Sequence, residues 1–258
     1  MGFHVVIPAR FASTRLPGKP LLEIGGKPMI QRVVERACSS AADRVLVATD
    51  DERIAAAVSD PRNPGERIAL MTDAALQSGT DRVAEVAKRL GWDEAKVVVN
   101  VQGDEPFIAP RLIDQVAKLL QENAAAGIAT LSTPVTGIEE LLNPNVVKVV
   151  TRNDGLAMYF SRAPIPWNRA GSVGRLMEPR DFAGAMRHVG IYAYRVGVLR
   201  QLTRMPPSEL EQREQLEQLR AMQNAVAIAV ARCVEVPGPG VDTAEDLERA
   251  RQRIAGDS

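Results

Sequence analysis

Cysteine and histidine are nearly missing: 258 residues carry two of each. Neither pair falls into a spacing that ligates a metal or joins a nucleophile to a base, so covalent catalysis has no visible support. Cys38, in a helical pattern, and Cys233, in an apolar strand-like run, read as buried thiols rather than a disulfide framework. Aromatic residues are also scarce, with 5 Phe, 3 Tyr and 2 Trp, and 32 Lys and Arg balance 32 Asp and Glu. Such a chain has no broad basic, base-stacking surface, which argues against nucleic acid as a partner and against attraction to an acidic membrane. Long apolar runs are absent too. The longest, "AVAIAVA" at 225–231, falls far short of the roughly 20 residues that cross a bilayer. No basic-headed apolar leader with a cleavage site opens the chain, so a cytoplasmic protein without membrane insertion is expected.

What is present is an ordinary globular composition, 45% hydrophobic and 25% charged, enough to bury a substantial core in one large α/β domain. "FHVVIP" is an apolar run ended by proline, which predicts a buried first strand. After the glycine turn at Gly25–Gly26, Pro28 suits a first helical position, and Met29, Ile30, Val33, Val34 and Ala37 recur at helical spacing. "RVLVAT", "RIALM" and "KVVVNV" repeat the strand signal, with helical patterns in "DDERIAAAV" and "DRVAEVAKRL" between them. This alternation predicts βαβ crossovers and a mostly parallel sheet with helices on both faces. Past residue 145, "VVKVVTR", "LAMYFSR" and "HVGIYAYRV" follow at closer intervals and predict a mixed sheet or a dimerisation arm. In "DTAEDLERARQRI", Thr243 and Asp246 form a capping-box pattern ahead of a last helix.

In such sheets ligands bind beyond the carboxyl ends of the strands. "PARFASTRLPGK" leaves the first strand there with Arg10, Arg15 and Lys19, hydroxyls at Ser13 and Thr14, Pro17 stiffening the loop and Gly18 allowing close backbone approach. Clustered flexible cations with exposed N–H groups stabilise a triphosphate, which carries about four negative charges near neutral pH. A solvated basic loop is the plainer reading, and its place directly behind the first strand favours phosphate binding. Asp104 in "NVQGDEP" lies beyond Gln102 and Gly103 from an apolar strand, where a carboxylate can hold Mg²⁺ against substrate phosphates, although Gly-Asp-Glu-Pro is also a good turn. Asp242 in "GPGVDTAED" reads equally as a metal carboxylate or as a partner of the helix start. His4, inside the first strand, reads as structural, and His188, sharing "RHVGIYAY" with Tyr192, as a pocket residue. There is no G-x-x-x-x-G-K-[ST] run, and "GPGVDT" lacks the context of a dinucleotide fingerprint. Bare chemistry therefore points to an α/β enzyme acting on a nucleoside triphosphate with Mg²⁺ by in-line transfer, which needs positioning and charge neutralisation rather than a covalent intermediate.

"IPARFASTRLPGKPL", "VATDD", "QSGTDR", "VNVQGDEPFI", "NPNVVKVV", "YFSRAPIPW", "HVGIYAYR", "LEQLR" and "VPGPGVDTAEDLERAR" follow one another from the first strand to the last helix. In that order they resemble the 3-deoxy-manno-octulosonate (Kdo) cytidylyltransferases, within the sugar nucleotidyltransferase superfamily. The resemblance implies a Rossmann-like α/β domain of nucleotide-diphospho-sugar transferase type spanning 1–258. In it, a CTP-binding part covers about 1–135, a smaller β-rich sugar-binding and dimerisation part about 136–235, and a closing metal loop and helix 236–258. It implies transfer of CMP from CTP to Kdo for lipopolysaccharide synthesis, Mg²⁺ as cofactor and a homodimer.

It further implies that Arg10, Ser13, Thr14, Arg15 and Lys19 hold the triphosphate, with Arg10 and Lys19 neutralising charge as it builds. Ala9, Ser78 and Gly79 would frame the cytosine, Gln102 would lie between base and sugar, and Asp104 and Asp242 would bind the metal. Arg162 would pair with the sugar carboxylate, while His188, Tyr192, Glu217 and Gln218 would hydrogen-bond its hydroxyls. A different sugar acid, such as an acylneuraminate or amino-Kdo, is the neighbouring alternative, and a catalytically silent nucleotide-binding relative the more distant one. The chain departs from the pattern at "MTDAAL", with Asp73 and Leu76 where a more basic or proline-containing stretch is usual, and at "SDPRNPGERIAL", which reads as a surface insertion.

Overall fold

In a computed structural model that describes residues 2–12, 16–169 and 182–256, the apolar runs become the strands they predict. The first half contains β1 (Phe3–Ala9), a short 3-10 turn (Lys19–Leu21), a small hairpin of β2 (Glu23–Ile24) and β3 (Lys27–Pro28), α1 (Met29–Cys38), β4 (Arg44–Thr49), α2 (Glu52–Ala56), β5 (Ala69–Met71), α3 (Gly79–Arg89), β6 (Val97–Asn100) and α4 (Pro110–Glu122). The second half contains β7 (Ile128–Pro134), α5 (Ile138–Leu142), β8 (Lys148–Thr151), β9 (Ala157–Ser161), β10 (Met186–Arg195), α6 (Val196–Leu202), α7 (Glu209–Glu214), α8 (Gln218–Gln223), β11 (Ile228–Arg232) and α9 (Ala244–Gly256).

The main sheet runs β11-β7-β10-β6-β1-β4-β5, with β8 and β9 attached through β10. β1, β4, β5 and β6 are parallel, whereas β10 is antiparallel to both β6 and β7. The sheet is therefore mixed, as the closer strand spacing past residue 145 predicts. β10 is long enough to change neighbours. Its start pairs with β8 and its end with β6, and an irregularity between Val189 and Tyr192 marks the exchange. Because β10 lies between β6 and β7, one sheet carries both the earlier and the later part of the chain.

Each face of the sheet buries its own cluster. Val5, Ile7, Val45, Val47, Val97 and Val99 pack against Ile30, Val33 and Val34 of α1 and Leu112, Ile113 and Val116 of α4. The alternate residues Val6, Leu46, Ala48 and Val98 pack against Val83, Val86 and Ala87 of α3 and Leu199 of α6, with Phe160 and Tyr194. Side chains of a strand alternate between faces, and the apolar stripe of each helix covers one of them. α9 seals a smaller cluster of Ile24, Met29, Val241, Leu247 and Ala250 near the β2–β3 hairpin.

Several sequence expectations need correction. β1 runs through Pro8 instead of ending before it. The Val6 carbonyl accepts from Val101 on the β6 side, so Pro8, two residues on, faces the same flank, where β6 has already ended, and its missing N–H breaks no ladder bond. Pro28 is the residue before α1 rather than its first helical position. The helix in "DDERIAAAV" shortens to α2, capped by Asp51. Cys38 is buried, but Cys233 only half so; desolvation pushes both thiols up, to about 12 and about 11. The 59–70 segment is largely exposed as an insertion would be, yet Asp60 within it is buried and tied to Arg62 at 3.0 Å. His4 tilts against Trp92 with ring centroids 4.6 Å apart, in keeping with a structural role.

Candidate active site

β1 and β6 pair in parallel, so the segments leaving them open side by side at one edge of the sheet. A cavity of about 340 Å³ lies there, lined by Ala9, Arg10, Lys19, Ser78, Gly79, Gln102, Asp104 and Asp242. Gly103 permits the close exit from β6: a Cβ at that position would stand 2.9 Å from the Pro8 carbonyl oxygen. Ser13, Thr14 and Arg15 lie outside the described residues.

Lys19 enters its 3-10 turn from Gly18, whose φ of 65° is left-handed backbone that favours glycine. The turn aims Nζ at the Asp104 carboxylate, 2.7 Å away, and at that of Asp242, 3.0 Å away. Asp242 reaches this point because the "GPGVD" loop packs on the segment after β6. The Val241 N–H donates to the Asp104 carbonyl at 2.9 Å, and a Cβ on Gly238 would collide with the Phe107 carbonyl oxygen at 2.4 Å. Its side chain faces Lys19, while its backbone N–H bonds Asp246 within the cap of α9.

An ammonium between two carboxylates marks a place built for positive charge. The donor set suits Mg²⁺, which takes one or two protein carboxylates and completes its shell with phosphate oxygens and water. Among the described residues no group of three or more His, Cys, Asp and Glu gathers as an all-protein cage. Glu105 stands beside the pair, and burial together with the negative charges of Asp104 and Asp242 pushes its carboxyl up to about 7.

On the opposite wall, Ser78 caps α3 in a reciprocal box with Asp81, and Gly79 begins the helix. Arg82, four residues after Ser78, also lines the cavity and is almost fully buried. It donates to Asp50 Oδ2 and to Thr72 Oγ1, both at 2.6 Å, and so ties α3 to the ends of β4 and β5. Nothing in the local sequence marks Arg82, because its side-chain partners Asp50 and Thr72 lie on other elements.

The residues expected to meet a sugar do not all converge. Tyr192, Glu217 and Gln218 line a recess of about 20 Å³ together with Thr80 and Tyr194, room for about one water rather than a sugar. Glu217 accepts from Thr80 Oγ1 at 3.0 Å and lies 3.3 Å from Ser78 Oγ, so it connects the recess to the crevice. Burial, chiefly, raises its carboxyl above the usual range. Arg162 sits apart, donating to the carbonyls of Glu214, Pro144 and Gln215 at 2.6, 2.8 and 3.3 Å. Its chain neighbours are fixed as well: Glu214 accepts from the Ser161 hydroxyl at 2.6 Å and from the Arg162 N–H at 2.9 Å.

His188 packs edge-on to Phe160 at 5.2 Å and tilts against Tyr192 at 5.1 Å, with Nε2 2.9 Å from Thr130 Oγ1. Desolvation lowers its pKa to about 3. The unfolded chain binds a proton at this residue near pH 6.5 and the folded chain does not, so His188 costs stability as pH falls from 6.5 toward 3, by at most ~1.4 kcal/mol per pH unit. Imidazole NMR is therefore expected to show His188 neutral at pH 5; a ring titrating near 6.5 would mean that it is solvated.

A profile of the Cytidylyltransferase family matches residues 4–228. The 3-deoxy-manno-octulosonate cytidylyltransferase of Thioalkalivibrio sulfidiphilus is 51% identical over 254 residues, covering 98% of this chain and 99% of that one. The protein of the same name from Aeromonas hydrophila is 51% identical over 257 residues, covering 99% and 100%. A solved structure described as CMP:2-keto-3-deoxy-manno-octonic acid synthetase complexed with CTP superposes with a TM-score of 0.87 at 42% identity, covering all of both chains. With a parallel-sheet crevice that joins Lys19 to Asp104 and Asp242, and with this extent of likeness, the chain belongs to the cytidylyltransferase family, among the 3-deoxy-manno-octulosonate cytidylyltransferases.

Proposed function

We propose that the chain transfers CMP from CTP to the anomeric 2-hydroxyl of Kdo, releasing pyrophosphate, with Mg²⁺ held by Asp104 and Asp242. The observation that carries this reading is the contact of the Lys19 ammonium with both carboxylates on the wall of the crevice. The sugar hydroxyl forms a bond to the α-phosphorus and gives its proton to water as the bond to the bridging oxygen of the β-phosphate breaks, and pyrophosphate leaves with that electron pair. Such transfers depend mainly on alignment and charge neutralisation. Arg10 and Lys19 neutralise charge on the transferring and leaving phosphates, assisted by Ser13, Thr14 and Arg15. When bound, the metal would screen the repulsion between two anionic substrates and acidify the attacking hydroxyl. Ala9, Ser78 and Gly79 frame the cytosine, and Gln102, which lines the same crevice, stands between base and sugar.

Tyr192, Glu217 and Gln218 share one recess beside that crevice, which supports their place on the sugar side. Arg162, His188 and the rest of the sugar contacts rest on the family resemblance. The recess is too small for an eight-carbon acid, so binding requires these side chains to open toward the large cavity. We further propose a homodimer, supported by the resemblance, which sedimentation analysis would test. Among the described residues no helix is long and apolar enough to cross a membrane, and a cytoplasmic location remains part of this proposal.

The test is pyrophosphate release with four nucleoside triphosphates against Kdo, an acylneuraminate and amino-Kdo. The expected result is release with CTP and Kdo, stopped by EDTA and restored by Mg²⁺. Preference for another sugar acid would move the assignment within the family, release in EDTA would remove the metal, and no release with any pair would indicate a silent relative.

A further inference from the structure

We propose that Thr80 is a positioning residue for sugar recognition: its hydroxyl, oriented by Tyr194, holds the Glu217 carboxylate at the boundary between the large crevice and the Tyr192 recess. The inference deepens the proposed function and rests on Glu217 meeting the sugar.

Thr80 is buried in the first turn of α3, one residue after Gly79, and lines the recess while Ser78 and Gly79 line the crevice. Its Oγ1 stands 3.0 Å from Glu217 Oε2. A threonine hydroxyl has one proton to give. Here the Glu217 carboxylate takes it, and the Tyr194 hydroxyl, on the same recess, is the other side-chain hydrogen-bond partner of Thr80. Tyr194 belongs to the ordered core of β10, buried and stacked on Tyr192 at 5.8 Å. The relay Tyr194–Thr80–Glu217 therefore runs from the sheet through the start of the nucleotide-side helix to a residue of the sugar side.

Other groups near Glu217 have prior commitments. The proton of Ser78 has a nearer acceptor in Asp81 Oδ2, at 2.9 Å against 3.3 Å to Glu217 Oε1. Arg220, in the same recess, donates from Nε to Glu211 at 2.8 Å. The backbone at Glu217 is set by the buried Leu216 and Leu219 on either side, so the choice of side-chain rotamer falls to the Thr80 hydroxyl. A carboxylate held by neutral hydroxyls keeps most of its roughly four acceptor sites open. It is thus placed to accept from the hydroxyls of a sugar acid, close to where the base would be read.

Steady-state kinetics in Kdo and CTP separately provides the test, on wild type and Thr80→Val, Thr80→Ser, Tyr194→Phe and Glu217→Gln. Thr80→Val is expected to raise KM for Kdo roughly tenfold or more, the effect of a lost hydrogen bond to a charged group, while KM for CTP stays within about twofold. Thr80→Ser, which restores the hydroxyl, is expected to return KM for Kdo most of the way, and Tyr194→Phe to raise it by a smaller factor. An unchanged KM for Kdo in Thr80→Val, or equal rises for both substrates, would overturn the inference. If Thr80→Val does not fold, Tyr194→Phe decides by the same criterion. Glu217→Gln separates the two levels. If it leaves KM for Kdo unchanged, the sugar contact fails and this inference with it; if it raises KM and Thr80→Val does not, only Thr80's role is lost.

Discussion

Asp104→Asn keeps the shape of the side chain and removes its charge, and the expected result is a fall in kcat of roughly 10²- to 10³-fold with CTP binding largely retained. The asparagine can still accept from Lys19 Nζ, now 2.7 Å from Oδ2, so the crevice should keep its form. What it no longer offers is a negative charge for a divalent cation facing the triphosphate. Two readings check this: pyrophosphate release at saturating CTP and Kdo, and calorimetric titration with CTP. A variant that turns over at the wild-type rate would show that Asp104 does not hold the metal. One that neither turns over nor binds CTP would show that the carboxylate supports the crevice itself.

Lys19→Met is expected to lower kcat by about 10³-fold, the scale on which a single cation aimed at a transferring phosphoryl group acts. The ammonium lies between Asp104 and Asp242, with only a small part of its side chain exposed. With a divalent cation on the two carboxylates, Nζ would turn to the phosphates from its place on the crevice wall, so little reorganisation would accompany catalysis. Methionine preserves the length and apolar stem and removes the charge, which leaves the two aspartates facing each other without a cation. Raised Mg²⁺ should therefore recover affinity for CTP in part but leave kcat low. Full recovery of kcat at high Mg²⁺ would mean that Lys19 serves only to keep the carboxylates apart before substrate arrives.

The two halves of the chain differed in how much could be read from sequence. β1, β4 and β6 were legible because a strand buried on both faces by helices is apolar at nearly every position, and α1 and α3 because an apolar stripe at helical spacing has one consistent interpretation. The capping box at Thr243 and Asp246 was legible for the same local reason and is present as predicted, with Asp246 accepting from the Thr243 N–H at 2.9 Å. Pro8 lies inside β1 because the cost of a missing N–H depends on whether a neighbouring strand extends that far. That is a property of β6, not of the residues around Pro8.

Asp104 could be placed from its own strand. Asp242 could not, since its side chain joins the site only where "GPGVD" packs against "DEPF" through the close approach at Gly238. Arg82, Thr80 and the recess around Glu217 were beyond local reading altogether, because their partners lie just past β4 and β5, on β10 and in the turn before α8. The sequence by itself determined the alternation of strands and helices and the end of the sheet at which a basic loop and an aspartate emerge, since each depends on residue type and short-range period. Only the tertiary structure decided which carboxylates share a cation and which hydroxyl holds Glu217. Those contacts join residues far apart in the chain, and packing rather than propensity sets the distances between them.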